Sequence, residues 1–267
     1  MIRRAAVAGT FYPEKEAILR RSVEDLLEAG TVAQSARAAV VPHAGYLYSG
    51  RVAGAVYSRL RVPETVVIHG PNHTGLGAGV AIMTYGEWET PLGPVPLDTE
   101  LAQAIQSHST SIEEDHVGHL REHSIEVQLP FLVTKCPRVR IVPICLFSAE
   151  WPICQEVGTA VAAAVREVGR PVLLLASTDM SHYVSAEVAE TRDGKALEAI
   201  LALDGKRLHD TVRRERVSMC GFHPTAATLI AARELGVERA ELIRYATSGD
   251  VTGDYSSVVG YAGLILW

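Results

Sequence analysis

Three histidines of this sequence, His43, His73 and His182, lie in polar segments a few residues beyond apolar runs. The runs are residues 38–42, 65–69 and 171–177. If they are neighbouring strands, their carboxyl ends meet at one edge of a sheet, where open α/β proteins bind ligands. A single loop histidine is more often a surface or hydrogen-bonded residue than a ligand. Three at equivalent positions favour a shared metal-binding or catalytic site.

A fourth chemical group is the thiol of Cys220, which precedes an apparent helix at residues 225–235 with Pro224 in its first turn. Proximity to a helix N-terminus favours the thiolate, the form that binds metals. A small buried cysteine explains the same position equally well. The remaining cysteines are spaced by nine residues, which matches no zinc knuckle; they are Cys136, Cys145 and Cys154.

A competing motif is His119-x-x-Glu122-His123, which matches the H-x-x-E-H pattern of inverted zinc peptidases. On a helix, its two histidines would share one face and the glutamate would be the base. The pattern stands in a stretch rich in histidine and glutamate, where chance matches are easy. We therefore interpret His123 as a polar residue lining the site and keep a zinc peptidase as a lesser alternative.

The elements that must position these residues are apolar strands alternating with helices. This pattern indicates an α/β fold with three layers, in which helices cover both faces of the sheet. Two further strand-like runs, residues 242–246 and 257–266, are joined by a short turn and predict a hairpin, so the sheet should be mixed. No linker or repeat divides residues 1–267, which we predict form one domain. His69 and Trp88 are expected to be structural.

The composition excludes several classes of protein. The 267 residues are 48% apolar, so the chain can bury a sizeable hydrophobic core. Its net charge of −6 disfavours general nucleic-acid binding. No apolar run approaches the roughly 20 residues of a membrane span. The apolar start of the chain is too short for a signal peptide. We expect a cytoplasmic protein that binds neither nucleic acid nor membrane.

Six motifs in order make the chain resemble the Memo family, whose bacterial and archaeal members are called AmmeMemoRadiSam system protein B. The motifs are residues 6–13, 42–46, 70–73, 122–126, 177–182 and 220–224. The resemblance covers essentially the whole chain. It implies a fold similar to that of the class III extradiol dioxygenases, which hold non-haem Fe(II) with two histidines and a carboxylate.

The resemblance also implies roles for individual residues. His43 and His73 would be metal ligands, Cys220 would occupy the place of the carboxylate, and His182 that of the acid/base histidine. Asp179 and His123 would be the other catalytic residues. We further expect four residues to line the pocket, namely Tyr46, Asn72, Glu126 and His223. The chain differs from the dioxygenases in having a thiolate where they have a carboxylate.

Two imidazoles and a thiolate suit Fe(II), copper or zinc, and the resemblance favours Fe(II). Two hypotheses follow. The first is a metal-dependent, dioxygenase-like oxidoreductase that acts on an aromatic or catechol-like small molecule, with His182 as acid/base and Asp179 orienting it. The second is a non-catalytic protein that binds a metal or a partner with the same pocket. The sequence leaves the oligomeric state open.

Overall fold

The computed structural model describes residues 1–147 and 150–267. Its strands are β1 (Ile2–Arg3), β2 (Ala38–Val41), β3 (Thr65–Pro71), β4 (Val80–Ile82), β5 (Glu87–Thr90), β6 (Gly93–Pro96), β7 (Glu113–Glu114), β8 (Arg140–Leu146), β9 (Leu173–Ser177), β10 (His182–Val184), β11 (Ala240–Thr247) and β12 (Val258–Leu266). Its α-helices are α1 (Glu16–Leu26), α2 (Tyr46–Arg59), α3 (Thr99–Ser107), α4 (Leu129–Lys135), α5 (Trp151–Val168), α6 (Ala186–Leu201), α7 (Gly205–Glu215), α8 (Phe222–Glu234) and α9 (Gly249–Thr252).

A large mixed sheet forms the middle layer. The strands β2, β9, β3 and β8 are parallel neighbours in that order. The strand β12 runs antiparallel to β2, and β4 runs antiparallel to β8. The hairpin predicted at the end of the chain is the antiparallel pair of β11 and β12, with α9 in its connection. The prediction of a mixed sheet is therefore confirmed.

Helices cover both faces of this sheet. Along β2, Ala38 and Val40 point into one core and Ala39 and Val41 into the other, because successive strand residues face opposite sides. The first core is closed by α3, α5, α6, α7 and α8, and the second by α1, α2 and α4 with the small sheet β1-β5-β6. The three-layer αβα architecture predicted from the sequence is confirmed.

Two local expectations need correction. The helical pattern of residues 156–168 predicts a helix that begins at Glu156, but the structure begins it earlier, at Trp151, with Pro152 in its first turn, where a missing N–H costs nothing. The helix required by the peptidase pattern does not form. The chain forms only a short 3₁₀ turn, Val117–His119, at the start of the motif. After it, the backbone N–H groups of His123 and Ser124 donate to the carboxylate of Glu122 instead of to the carbonyls of a helix.

Within the part of the chain that the structure describes, no helix has the length and apolar character needed to cross a bilayer.

Candidate metal centre

The polar segments after three neighbouring strands meet at one edge of the sheet. His43 follows β2, His73 follows β3 and Asp179 follows β9. Close approach of the backbone is needed there. A Cβ on Gly70 would lie 2.6 Å from the hydroxyl of Ser124, so a glycine at this position lets the segment that carries His123 pack against the end of β3.

Three imidazoles converge at this edge. His43, His73 and His123 each offer a ring nitrogen, and these three atoms lie within 4.8 Å of one another. The ring centroids are 5.2 Å apart for His43 and His73, 5.4 Å for His43 and His123, and 4.6 Å for His73 and His123. His123, expected from the sequence as a lining residue, thus occupies a potential ligand position.

The tautomer of His43 follows from its hydrogen bonds. Its Nδ1 lies 2.9 Å from the hydroxyl of Ser177, whose single proton is donated to the carbonyl of Ser124 at 2.6 Å. The Ser177 oxygen must therefore accept a hydrogen bond from Nδ1–H of His43. Burial, reinforced by His123 and His73, lowers the pKa of His43 well below its usual value. The ring is neutral, and Nε2 keeps its lone pair free for a metal.

His73 is oriented by a buried carboxylate. Its Nδ1 lies 2.9 Å from Oε1 of Glu122, and because a carboxylate only accepts, Nδ1 carries the proton. Burial raises the pKa of Glu122, but hydrogen bonding and charge from His73, with contributions from His123, outweigh it and lower this pKa to about 2. An ionised Glu122 leaves Nε2 of His73 as the free donor, an arrangement common around metal-binding histidines.

His123 is held between a ring and the same carboxylate. The ring of Phe11 packs 4.6 Å away, and Nδ1 of His123 lies 3.4 Å from Oε1 of Glu122. Burial lowers the pKa of His123 to about 4 despite the charge of Glu122. The ring of His123 is therefore uncharged at neutral pH and can offer a nitrogen lone pair to a metal.

Cys220 adjoins this group on one side. Its Sγ lies 3.3 Å from Nε2 of His43 and accepts a hydrogen bond from the backbone N–H of Asp179, also at 3.3 Å. The thiol precedes the N-terminus of α8, as predicted, but the expectation of a lowered pKa is wrong for the protein without metal. Burial, reinforced by the charge of Asp179, raises the pKa of Cys220. Its sulfur is not among the three atoms that lie within 4.8 Å of one another.

His182 and Asp179 stand at the same cavity. Nδ1 of His182 lies 2.8 Å from the carbonyl of Ser218, which can only accept, so Nε2 is the basic nitrogen. Ser218 therefore orients this ring, the role the sequence suggested for Asp179. Asp179 instead accepts a hydrogen bond from the backbone N–H of His43 at 2.8 Å. Burial raises the pKa of Asp179 to about 6, against the lowering effect of the N–H groups of His43 and Ala44.

A cavity of about 650 Å³ opens in front of the three imidazoles. Its walls include the rings of Phe11, Tyr48, Tyr183 and Tyr261 and the carboxylate of Asp254. Tyr48 lies on α2, two positions after Tyr46. Phe11 comes from the N-terminal segment, Tyr183 from β10, and Asp254 and Tyr261 from the C-terminal hairpin. The aromatic residue next to the His182 motif, Tyr183, was a signal that could have been followed.

The four residues expected to line the pocket lie elsewhere. Tyr46 is buried, and its hydroxyl donates to the carbonyl of Val127 at 2.8 Å. The amide oxygen of Asn72 accepts hydrogen bonds from the backbone N–H groups of Thr74 and Gly75, and so shapes the turn after His73. Both residues support the site from behind, because their side chains bond to the backbone.

The other two expected lining residues, Glu126 and His223, make their contacts in separate side-chain clusters. Glu126 is fully buried, pairs with Arg3 and accepts a hydrogen bond from the hydroxyl of Tyr12 at 2.6 Å. His223 packs with its ring centroid 5.7 Å from that of His209 and 3.7 Å from that of Phe222. None of the four expected lining residues is among the described residues that line the cavity.

His119 does not join the site. It is fully buried, its Nε2 donates to the carbonyl of Ala81 at 3.2 Å, and its Nδ1 lies 3.4 Å from Sγ of Cys145. Glu122, the base in the peptidase interpretation, is engaged by His73 and by backbone N–H groups. The alternative prediction of an inverted zinc peptidase is therefore wrong, because His119 and Glu122 do not have the required arrangement.

The geometry can be set beside known proteins. The family model described as Memo-like protein matches residues 3–265. A MEMO1 family protein of Methanothermobacter thermautotrophicus is 46% identical over 99% of this chain and 100% of its own length. MEMO1 family proteins of Methanopyrus kandleri and Methanosarcina barkeri are 45% and 43% identical, again over 99% of this chain and 99% and 100% of their own lengths.

Among solved structures, an uncharacterized protein of Escherichia coli has a similar fold. Its TM-score is 0.54, with 15% sequence identity, and the match covers 85% of this chain and 98% of that one. At this identity the match supports the αβα fold alone.

Proposed function

Since this chain belongs to the Memo-like protein family, we propose that it binds a redox-active metal ion with His43, His73 and Cys220, with His123 as an additional donor. Fe(II) is the favoured ion, and copper and zinc are the alternatives. We further propose that the bound ion serves a dioxygenase-like oxidation of an aromatic small molecule.

The observation that supports the proposal most directly is the hydrogen bond at Nδ1 of each of two imidazoles. His43 and His73 both have Nδ1–H fixed by an acceptor, so in the neutral form of each ring Nε2 carries the free lone pair. Donors on one tetrahedral ion lie about 3.5 Å apart when the bonds are about 2.1 Å to nitrogen and 2.3 Å to sulfur. The 3.3 Å between Nε2 of His43 and Sγ of Cys220 is compatible with that spacing.

Bound there, Fe(II) would supply electron transfer between a substrate with adjacent hydroxyls and dioxygen. The protein's own part is to position the substrate and to move protons. The basic Nε2 of His182 can take the proton of a substrate hydroxyl, since its Nδ1–H is held by Ser218. The same nitrogen can later return the proton to the product. The rings of Phe11, Tyr48 and Tyr261 can exclude water from a flat substrate.

Metal binding is tested by elemental analysis of anaerobically purified protein. His43→Ala, His73→Ala and Cys220→Ser should each lower metal occupancy at least tenfold. His116→Ala is the matched control, because His116 is an exposed histidine close to the same segment, and it should retain full occupancy. Unchanged occupancy in both His43→Ala and His73→Ala would contradict the proposed site.

The third donor is tested with Cu(II), whose bond to a thiolate gives a visible charge-transfer band. We expect this band in the copper-loaded protein and its loss in Cys220→Ser. His123→Ala should keep the band and lower copper affinity. A band absent from the unsubstituted protein would assign the third position to His123 instead.

Oxidation is tested by oxygen uptake of the Fe(II)-loaded protein with a panel of catechols. Uptake that falls at least a hundredfold in His182→Ala, with metal occupancy unchanged, would support the oxidoreductase. No uptake with any of the three metals would favour the second hypothesis, a non-catalytic protein that binds its metal or a partner through this cavity.

A further inference from the structure

The wall of the cavity has an uneven charge distribution. Two carboxylates, Asp179 and Asp254, line it, whereas no lysine or arginine does so among the residues described. A bound anion would therefore meet carboxylates without a compensating side-chain cation.

The N-terminus of α2 is a feature of this edge that would favour an anion. It is already faced by Asp179, whose carboxylate accepts a hydrogen bond from the backbone N–H of His43 at 2.8 Å, just ahead of that helix. Asp179 is 5% exposed, so little of this carboxylate remains open to solvent. The helix end is therefore not free to receive an anionic substrate.

Asp254 is different, because it is exposed in the connection between α9 and β12. Its Oδ1 accepts hydrogen bonds from the backbone N–H and the hydroxyl of Ser256, at 2.8 Å and 2.6 Å. These bonds lower the pKa of Asp254 and fix the side chain at the cavity wall. Its second oxygen, Oδ2, is left to meet a ligand.

Aromatic faces accompany this carboxylate. Tyr48 and Tyr183 line the same cavity and are 40% and 80% exposed. Tyr183 has a backbone φ of 57°, an unfavourable conformation for a bulky residue. Exposed rings and a carboxylate that line one cavity attract an organic cation through both the π face and charge.

We infer that the cavity takes a small aromatic amine, with its ammonium group at Asp254 and its ring extending toward the three imidazoles. This inference rests on the proposed function in so far as the ring carries adjacent hydroxyls. The charge preference rests on the cavity wall alone. Asp254, with no lysine or arginine in the described wall, should weaken the binding of aromatic acids of the same size.

Matched ligands test the charge preference. Dopamine, ethylcatechol and dihydroxyphenylacetate carry the same catechol ring with a positive, neutral or negative side chain. Anaerobic titration calorimetry of the Zn(II)-loaded protein avoids oxidation. We expect dopamine to bind about tenfold more tightly than dihydroxyphenylacetate, as a partly desolvated ion pair with cation–π support would give. This ratio should shrink as salt is raised.

Asp254→Asn is the decisive variant, because asparagine keeps an oxygen acceptor for Ser256 and so preserves the turn. It should weaken dopamine binding about threefold and leave ethylcatechol binding unchanged. Asp25→Asn, at an exposed position on α1, is the control and should change neither. Equal affinities for the amine and the acid, or an unaltered ratio in Asp254→Asn, would overturn the inference and leave the proposed function standing. If none of the three catechols binds, both the inference and the catechol oxidation fail, whereas metal binding remains.

Discussion

Glu122 and His73 are 49 positions apart in the sequence and share two hydrogen bonds: the carboxylate accepts one from the ring Nδ1 at 2.9 Å and one from the backbone N–H at 2.5 Å. The same carboxylate accepts the N–H groups of His123 and Ser124. One buried side chain thus sets both the ring orientation of His73 and the path of the segment that carries His123.

Glu122→Gln should therefore weaken metal binding without removing any ligand. Loss of the carboxylate behind a ligating histidine lowers metal affinity by about 10–100-fold. Competition with a chelator of known affinity measures this change. Glu113→Gln, an exposed substitution on β7, is the control. Equal affinities in the two variants would show that Glu122 has no part in orienting His73.

The buried charge of Arg3 should matter for stability. Arg3 donates to the carbonyls of His119 and Glu122 at 3.0 Å and 2.6 Å, pairs with Glu126 and lies 4.3 Å from the ring centroid of Trp88. Arg3→Met leaves Glu126 without its cation and should lower the free energy of unfolding by about 3–5 kcal/mol. Urea titration measures it. Adding Glu126→Gln should recover part of the loss, and a double variant no more stable than the single one would contradict the pairing.

Acid should destabilise the fold through two histidines that are buried and neutral. Burial lowers the pKa of His69 and of His119 to about 4, compared with about 6.5 in the unfolded chain. Between these values the unfolded state binds more protons, so stability falls as the pH is lowered from about 6.5 to about 4. The steepest slope is about 1.4 kcal/mol per pH unit for each histidine.

Urea unfolding at a series of pH values measures this slope. His69→Gln removes one titrating group while retaining a polar atom near the hydroxyl of Thr228, which lies 2.8 Å from Nδ1 of His69. In this variant the free energy of unfolding should fall less steeply as the pH is lowered from about 6.5 to about 4. An unchanged pH dependence in His69→Gln would contradict the low pKa of this residue.

A pair of glycines tests how tightly the Cys220 loop is packed. A Cβ on Gly221 would lie 2.5 Å from the carbonyl oxygen of Ser177, so Gly221→Ala should lower the free energy of unfolding by about 1–3 kcal/mol. Gly194, within α6, has no atom within 4 Å of the corresponding position. Gly194→Ala should therefore raise stability by about 1 kcal/mol. Thermal unfolding of both variants measures these two opposite changes in stability.

Sequence reasoning succeeded where position along a strand decides position in space. Apolar runs predicted β2, β3 and β9, and their carboxyl ends fixed the neighbourhood of His43, His73 and Asp179. It failed where a side chain's direction depends on distant groups. Asn72 is adjacent to His73, yet its amide turns back to bond Thr74 and Gly75.

The place of His123 illustrates the same limit. The H-x-x-E-H spacing favours a helix, but a carboxylate that accepts nearby backbone N–H groups competes with helical hydrogen bonds. The outcome depends on His73, because its contacts keep Glu122 ionised and in place. The far wall of the cavity, from Tyr183 to Asp254 and Tyr261, likewise depends on how the C-terminal hairpin packs.

The strand β12 pairs with β2 on one side and with β10 and β11 on the other, and it also carries Tyr261 of the cavity wall. During synthesis the ribosome therefore releases an interior strand of the sheet after the histidine segments have already emerged. A nascent chain shorter than about 258 residues has an open edge on β2. Such an intermediate lacks Tyr261, so the cavity has no complete wall until β12 has been inserted.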